Sequence, residues 1–206
     1  MSRIGLLIAS VAVAALTLVP SGVAGQPVTE TLIPPPQPWL SCKAIGAGTI
    51  CQGTLVEQYG PEDTGIVCGS GLGAFDIFDG GTRHSTKTKY YDEDGLLTRV
   101  VTHDKFPDSQ WSNPLTGAVV PYTQSNTITD ELAVPGDKST VTETNVGENI
   151  YRDPATNKVV FTSVGRSVFG PDGTVEFRSG KQNFLDLFVD GDTSVLDPLC
   201  AVLASA

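Results

Sequence analysis

The sequence predicts an all-β fold, an antiparallel up-and-down meander of about eight strands that closes into a barrel. From Thr54 onward, Thr, Val, Tyr and Phe are frequent, and no helical period extends beyond about two turns. Short segments rich in Asp, Asn, Pro and Gly interrupt these stretches, as turns do. Because the later stretches are longer than typical sandwich strands and closure removes exposed edges, a barrel is favoured and a β-sandwich is the alternative.

The predicted strands follow one another with short connections, and strands joined in this way usually pair with their neighbours. They cover residues 54–58, 74–78, 83–91, 96–106, 118–129, 139–151, 158–169 and 174–187. Segment 194–204 has apolar residues at helical spacing, and Pro198 lies near its start. A short C-terminal helix is therefore expected there.

The turns between these strands fall into two similar pairs. Residues 92–95 and 170–173 both end in Asp-Gly, which predicts a type I turn followed by a left-handed glycine. Residues 113–117 and 153–157 each begin with Asn or Asp followed by Pro, which presets a turn conformation. Gly80-Gly81 is a further predicted turn.

The N-terminal residues predict export from the cell. A basic start, an apolar stretch over residues 4–19 and the small residues Gly22-Val23-Ala24 are typical of a secretory signal peptide covering residues 1–24. A retained N-terminal anchor is the alternative. Residues 25–38 are rich in proline and predict an extended arm or linker, followed by a single β-barrel domain over residues 39–206. The mature protein is expected outside the cell and away from the membrane.

The four cysteines form an even set in a chain that carries an export signal. Two disulfides are expected, and four cysteines allow three pairings. The favoured pairs are Cys42 with Cys51, which closes a short loop, and Cys68 with Cys200, which joins the C-terminus to the body. A zinc site is the disfavoured alternative, because no pair has the C-x-x-C spacing typical of metal ligands.

The chain is acidic, with 13 Lys and Arg against 23 Asp and Glu and a formal net charge of −10. This sign argues against nucleic acids and anionic membranes as partners, because both would be repelled. The charges are scattered rather than collected in a tail, so they indicate solubility outside the cell and not disorder.

Polar residues are frequent where a dry barrel interior would need apolar ones. In segment 139–148, Ser, Thr, Glu and Asn occupy both faces of the predicted strand. Two explanations are open. The interior is partly polar and holds water or a ligand, or this strand projects from the barrel or lies at a solvated edge.

The two histidines are the side chains that titrate near neutral pH without help from their surroundings. His84 and His103 lie on the two strands of the hairpin that turns at residues 92–95. A three-residue loop places His84 opposite Asp104, with His103 on the other face, whereas a two-residue turn places both histidines on one face. The turn sequence favours the first register, so His84, His103 and Asp104 form the candidate polar site, with no catalytic role assigned.

Other motifs give no specific chemistry. No Gly-x-Ser-x-Gly hydrolase motif is present, the glycines after Cys68 fit no phosphate-binding loop, and the Asp-rich segment 190–194 lacks the glycine and glutamate of a calcium loop. No catalytic residue, metal ligand or cofactor is therefore assigned. The shape is comparable with that of lipocalins, but their Gly-x-Trp signature is missing, so no family is assigned.

The function that follows is a secreted binding or interaction module that holds a small apolar or amphipathic ligand in the barrel. Aromatic side chains such as Tyr122, Phe161, Phe169 and Phe177 are candidates for its mouth. Two alternatives remain. One is an isomerase- or cyclase-type enzyme that works in the same cavity without a sequence motif. The other is a structural or surface-associated protein without a pocket.

Overall fold

The structure is a computed structural model that describes residues 31–205, so the predicted signal peptide over residues 1–24 lies outside the described residues. Two short helices follow the last strand, α1 (Asn183–Phe188) and α2 (Asp197–Ala204). The strands are β1 (Ser41–Ile45), β2 (Gly48–Cys68), β3 (Phe75–Tyr91), β4 (Leu97–Ser112), β5 (Val119–Leu132), β6 (Val141–Arg152), β7 (Val159–Phe169) and β8 (Val175–Gln182).

The strands form one antiparallel sheet in the order of the sequence, from β1 to β8. The all-β up-and-down meander is thereby confirmed, and so is the short C-terminal helix, in which Pro198 occupies the first turn. The turns at residues 92–95, 113–117, 153–157 and 170–173 are each closed by a backbone hydrogen bond from their last residue to their first. Asp, Asn, Pro and Gly therefore define the hairpins as their turn preferences predict.

Closure of the sheet into a barrel is not confirmed. Within residues 31–205, β1 pairs only with β2 and β8 only with β7, so the sheet keeps two edges. β1 is five residues long and covers only the beginning of β2. Asp79 of β3 and Gln182 of β8 nevertheless line the same cavity, which shows that the sheet is strongly curved. The strands form one curved sheet and not the two packed sheets of a sandwich.

Several strand boundaries differ from the prediction. Segments 74–78 and 83–91 belong to one continuous strand, β3, and Gly80-Gly81 lies within it. A Cβ atom on Gly81 would lie 2.6 Å from the Cα atom of Ser109, so the glycine permits close approach of β4 and does not make a turn. The predicted strand at 54–58 is part of the 21-residue β2, and β1 was not predicted.

The inner face of the curved sheet has two apolar ends and a polar middle. One end, which we call the helix-end cluster, packs α2 against the sheet and contains Ile66, Cys68, Phe75, Ile77, Trp111, Val120, Tyr122, Tyr151, Phe161, Leu196, Leu199 and Leu203. The other, the arm-end cluster, contains Leu32, Leu40, Cys51, Tyr91, Leu97, Val100 and Leu132. The hydrophobic core is therefore divided, and the space between its halves is available to polar groups.

Both favoured disulfides are present, Cys42–Cys51 between β1 and β2 and Cys68–Cys200 between β2 and α2. Two disulfides indicate an oxidising, extracellular environment. Two further contacts hold α2 in place, because Asn113 Nδ2 and Thr116 Oγ1 both donate to the Leu203 carbonyl, at 3.0 and 3.1 Å. Among residues 31–205, no helix has the length and apolar character needed to cross a membrane.

Part of the proline-rich segment is attached to the sheet. The Ile33 N–H donates to the Gly95 carbonyl and the Leu97 N–H to the Ile33 carbonyl, both at 2.9 Å. The Tyr91 hydroxyl donates to the Pro34 carbonyl at 2.9 Å, and Leu32 is buried in the arm-end cluster. Residues 32–34 therefore cover one end of the inner face.

Candidate functional site

A cavity of about 270 Å³ lies in the polar middle of the inner face, bordered by the helix-end cluster. Residues that pair directly across neighbouring antiparallel strands share one face of a sheet. Gln124, Asn149 and Ser163 are such partners on β5, β6 and β7, and so are Asn145 and Ser167. The register of three adjacent strands thus directs a set of polar side chains into one space.

A row of glycines makes room for this cavity. Gly147 of β6 pairs with Gly165 of β7, which in turn pairs with Gly180 of β8. A Cβ atom on Gly147 would collide with Asn126 Oδ1, and one on Gly165 would collide with the backbone of β8. Because the strands approach too closely for side chains here, this row contributes none to the inner face and leaves open space.

The wall of the cavity is polar but almost free of charge. Asp79 is the one carboxyl group in the lining, and none of the lining residues is Lys, Arg or His. Besides the phenols of Tyr122 and Tyr151, the other polar members are amides and hydroxyls from β5 to β8, namely Gln124, Asn126, Asn145, Asn149, Ser163, Ser167 and Gln182. Each primary amide offers both donors and an acceptor, so the wall can pair with groups of either kind.

Asn149 stands out in this wall because its side chain is only 8% exposed. Its Oδ1 atom is buried and has no hydrogen-bond partner among the described residues. An unpaired buried acceptor costs about 1–3 kcal/mol of stability. A native structure retains such a group where a water molecule, an ion or a ligand supplies the missing partner.

Aromatic rings close the helix end of the cavity. Tyr151 stacks on Tyr122 with ring centroids 4.6 Å apart and lies 4.6 Å from the Trp111 ring. Phe184 of α1 packs on Phe161 at 5.0 Å. These contacts fix the rings in a rigid layer, of which Trp111, Tyr122, Tyr151 and Phe184 contribute to the lining.

A carboxyl group and two phenols meet at the edge of this layer. The Tyr122 hydroxyl donates to Asp79 Oδ1 at 3.0 Å and lies 2.8 Å from the Tyr59 hydroxyl. Burial raises the pKa of Asp79, although hydrogen bonds from Tyr122 and Tyr59 oppose the shift. Burial also raises the pKa of Tyr122 and of Tyr59. Asp79 therefore keeps its proton to a higher pH than an exposed carboxyl group does.

The raised pKa of Asp79 predicts how stability depends on pH. A carboxyl group with a higher pKa in the folded state stabilises the protein below its unfolded pKa, and that contribution is lost as pH rises through the folded pKa. We expect Asp79→Asn to reduce the loss of stability above about pH 4. The measurement is the free energy of unfolding in denaturant at a series of pH values.

Asp172 provides a control of opposite sign. It is fully exposed, and hydrogen bonds from the Thr174 hydroxyl and N–H lower its pKa. Its contribution is present above the unfolded pKa and is lost as pH falls. Asp172→Asn should therefore reduce the loss of stability on acidification. If both variants change the pH dependence in the same direction, the account of Asp79 is wrong.

The hairpin that carries the histidines begins as the turn sequence predicts. The Asp92 N–H donates to the Leu96 carbonyl at 3.0 Å, so Asp92 lies opposite Leu96. An extra residue at Thr98 then shifts the pairing of β4 against β3 by one position. This β-bulge gave no signal in the sequence, and it reverses the faces of the β4 residues that follow it, up to a second register shift between Lys105 and Gln110.

The bulge overturns the predicted pairing of His84 with Asp104. His84 lies opposite Lys105, whereas Asp104 lies opposite Ser85. Both histidines are exposed on the outer face, and His103 Nδ1 lies 2.9 Å from Thr127 Oγ1. Asp104 therefore lies on the inner face, whereas the two histidines share the outer face as diagonal neighbours, as the alternative register predicted.

Asp104 is buried and forms an ion pair with Arg83, whose side chain is 36% exposed. Its carboxylate accepts hydrogen bonds from Arg83 Nε at 3.3 Å and Nη2 at 2.8 Å. Both partners lie outside the cavity lining. The two-point contact is typical of an arginine that neutralises a buried carboxylate and fixes its geometry.

Some signals for the cavity were present in the sequence. The polar segment 139–148 belongs to β6, which pairs along its length with β5 and β7 and is not an edge strand. The partly polar interior is thus the explanation that agrees with the structure. Of the four aromatic candidates, Tyr122 and Phe169 line the cavity. Phe161 is buried in the aromatic layer outside the lining, and Phe177 lies on the outer face beneath Arg166.

Among residues 31–205, no group of three or more His, Cys, Asp or Glu side chains is placed to hold a metal ion. Comparison with models of known protein families, with curated proteins and with solved structures finds no match to this chain.

Proposed function

We propose that this protein is a secreted binding module that holds one small molecule in the cavity on the inner face of its sheet. The observation that carries the proposal is the polar, almost uncharged wall of that cavity, in which Asn149 keeps a buried Oδ1 atom that has no hydrogen-bond partner among residues 31–205. A bound molecule that donates to this atom would remove the cost of leaving it unpaired.

The size of the cavity limits the ligand. At about 270 Å³ it lies just below the usual range of drug-sized sites, so a single ring with its substituents is the expected size. The wall is built from strands and the aromatic layer, which are held by sheet pairing and by the helix-end cluster. Such a site is largely formed before binding, which limits the loss of conformational entropy.

Secretion is the second part of the proposal. It rests on the signal-peptide pattern over residues 1–24, together with two disulfides that favour an oxidising compartment. The intact mass of protein recovered from culture medium tests it directly. A mass equal to that of residues 25–206 less four hydrogens supports secretion with both disulfides formed. A mass that still includes residues 1–24 contradicts it.

Native mass spectrometry of the secreted protein tests the binding function. We expect a mass above that of the oxidised chain, and the excess should disappear on denaturation. Asn145→Phe introduces a phenyl ring from a half-buried residue of the cavity wall and should remove the excess. Thr144→Phe adds the same ring on the opposite face of β6 and should retain it. Excess mass that survives Asn145→Phe would place the ligand elsewhere and contradict the proposal.

An enzyme is the second candidate, and the cluster of Asp79, Tyr122 and Tyr59 favours it. A buried carboxyl group whose pKa is raised can exchange a proton with a bound molecule. Asp79→Asn keeps the shape of the side chain but removes this exchange. If the cavity is catalytic, this variant binds the ligand and no longer converts it; if conversion continues, Asp79 is not the acid or base.

A further inference from the structure

We infer that the ligand of this cavity is an uncharged polyhydroxylated ring of monosaccharide or cyclitol size. The inference rests on the proposed function and adds the chemical class of the ligand. Three properties of the lining carry it: its near-neutral charge, its amide wall and its aromatic layer.

The charge of the lining excludes strongly ionic ligands. A carboxylate or phosphate needs a cationic partner when it leaves water, and the lining contains no Lys, Arg or His. A cation would need a free carboxylate. Asp79 already accepts hydrogen bonds from Tyr122 and Tyr59, and burial raises the pKa of its carboxyl group. An uncharged molecule avoids both costs.

The amide wall favours a ligand with several hydroxyl groups. Gln124, Asn126, Asn145 and Asn149 come from two adjacent strands, and each amide carries both donors and an acceptor. A hydroxyl group is the small uncharged group that also donates and accepts, so neighbouring hydroxyls on a ring can pair with neighbouring amides. An apolar molecule of the same size would leave Asn149 Oδ1 and the other amides without partners.

The aromatic layer favours a ring over an open chain. Phe184 presents ring surface at one end of the cavity, and it is backed by Trp111 and Tyr151, which are themselves 4% and 1% exposed. The C–H face of a sugar or cyclitol ring is flat and apolar, so it can lie against an aromatic ring. The equatorial hydroxyls of such a molecule project outward around its edge. The cavity of about 270 Å³ has room for one such ring.

Tryptophan fluorescence tests this assignment with named probes. Trp39 and Trp111 are the two tryptophans of the chain, so Trp39→Phe leaves Trp111 in the cavity wall as the reporter. The uncharged probes are glucose, galactose, mannose and myo-inositol. The comparison probes are glucuronate, glucosamine and cyclohexanol, which add a charge or remove all hydroxyls but one. Calorimetry with the parent protein provides the affinities.

We expect saturable binding of at least one uncharged polyol and weaker or no binding of the three comparison probes. Asn149→Leu should weaken that binding at least about tenfold, because it removes the buried acceptor. The same variant should melt about 2–4 °C higher than the parent when no ligand is present, which excludes misfolding as the cause. Gln52→Leu replaces an exposed amide of the outer face in the same way and should leave the affinity unchanged.

The other outcomes separate the two proposals. If cyclohexanol or a charged probe binds and the polyols do not, the ligand class is wrong and the binding function stands. If a polyol binds and Asn149→Leu has no effect, the site is elsewhere and the inference is overturned. If no probe binds and native mass spectrometry finds no bound molecule, both proposals fail.

Discussion

Removal of the Cys68–Cys200 disulfide should lower the free energy of unfolding by about 5 kcal/mol in the chain-entropy model, the largest effect expected for any change in this protein. The bridge spans 132 residues, so its loss releases most of the described chain in the unfolded state. It also frees α2, which buries Leu199 and Leu203 in the helix-end cluster. The variant Cys68→Ala/Cys200→Ala, unfolded in guanidinium chloride, measures this loss.

The second disulfide is a matched control. Cys42 and Cys51 are only 9 residues apart, and the same model assigns this loop about 2.6 kcal/mol. Cys42→Ala/Cys51→Ala should therefore cost roughly half as much as the longer bridge. Equal losses for the two double variants would show that loop length does not govern the stabilisation.

Leu199→Ala should lower the free energy of unfolding by about 3–4 kcal/mol, the second-largest effect. Leu199 is 0% exposed and lies in α2 against the helix-end cluster, where the sheet cannot collapse to fill the space. Because this cluster supports the aromatic layer of the cavity, we also expect weaker ligand binding in this variant. The measurements are the free energy of unfolding in urea and the affinity for the molecule that native mass spectrometry finds bound to the parent protein.

Leu115→Ala is the control for this substitution. Leu115 lies at the tip of a hairpin turn and is 79% exposed, so the same truncation removes little buried area. Its effect should lie within about 0.5 kcal/mol. A loss at Leu199 no larger than the loss at Leu115 would mean that α2 does not form part of the core.

Local chemistry made much of the fold predictable. The four Asp-, Asn-, Pro- and Gly-containing turns, the sequential antiparallel pairing and the two disulfides depend on short-range signals or on chain order. Gly80-Gly81 was misassigned because glycine serves both turns and close strand approach. Only the position of Ser109 on the neighbouring strand separates these two uses.

The candidate site was harder to predict because it depends on register. The bulge at Thr98 places Asp104 inside and His84 outside, and nothing in the local sequence marks it. Asn149 and Gly147 become informative only when β5, β6 and β7 are aligned. The excess of polar residues in segment 139–148 was the feature of the sequence that indicated a partly polar inner face.

A crystal structure of the protein recovered from culture medium, with its disulfides intact, would show whether the cavity holds a molecule. We expect electron density for a molecule larger than water in the cavity, with a donor about 2.7–3.2 Å from Asn149 Oδ1. A cavity that holds water alone or has collapsed, with Asn149 Oδ1 bonded to another group of the protein, would contradict this expectation.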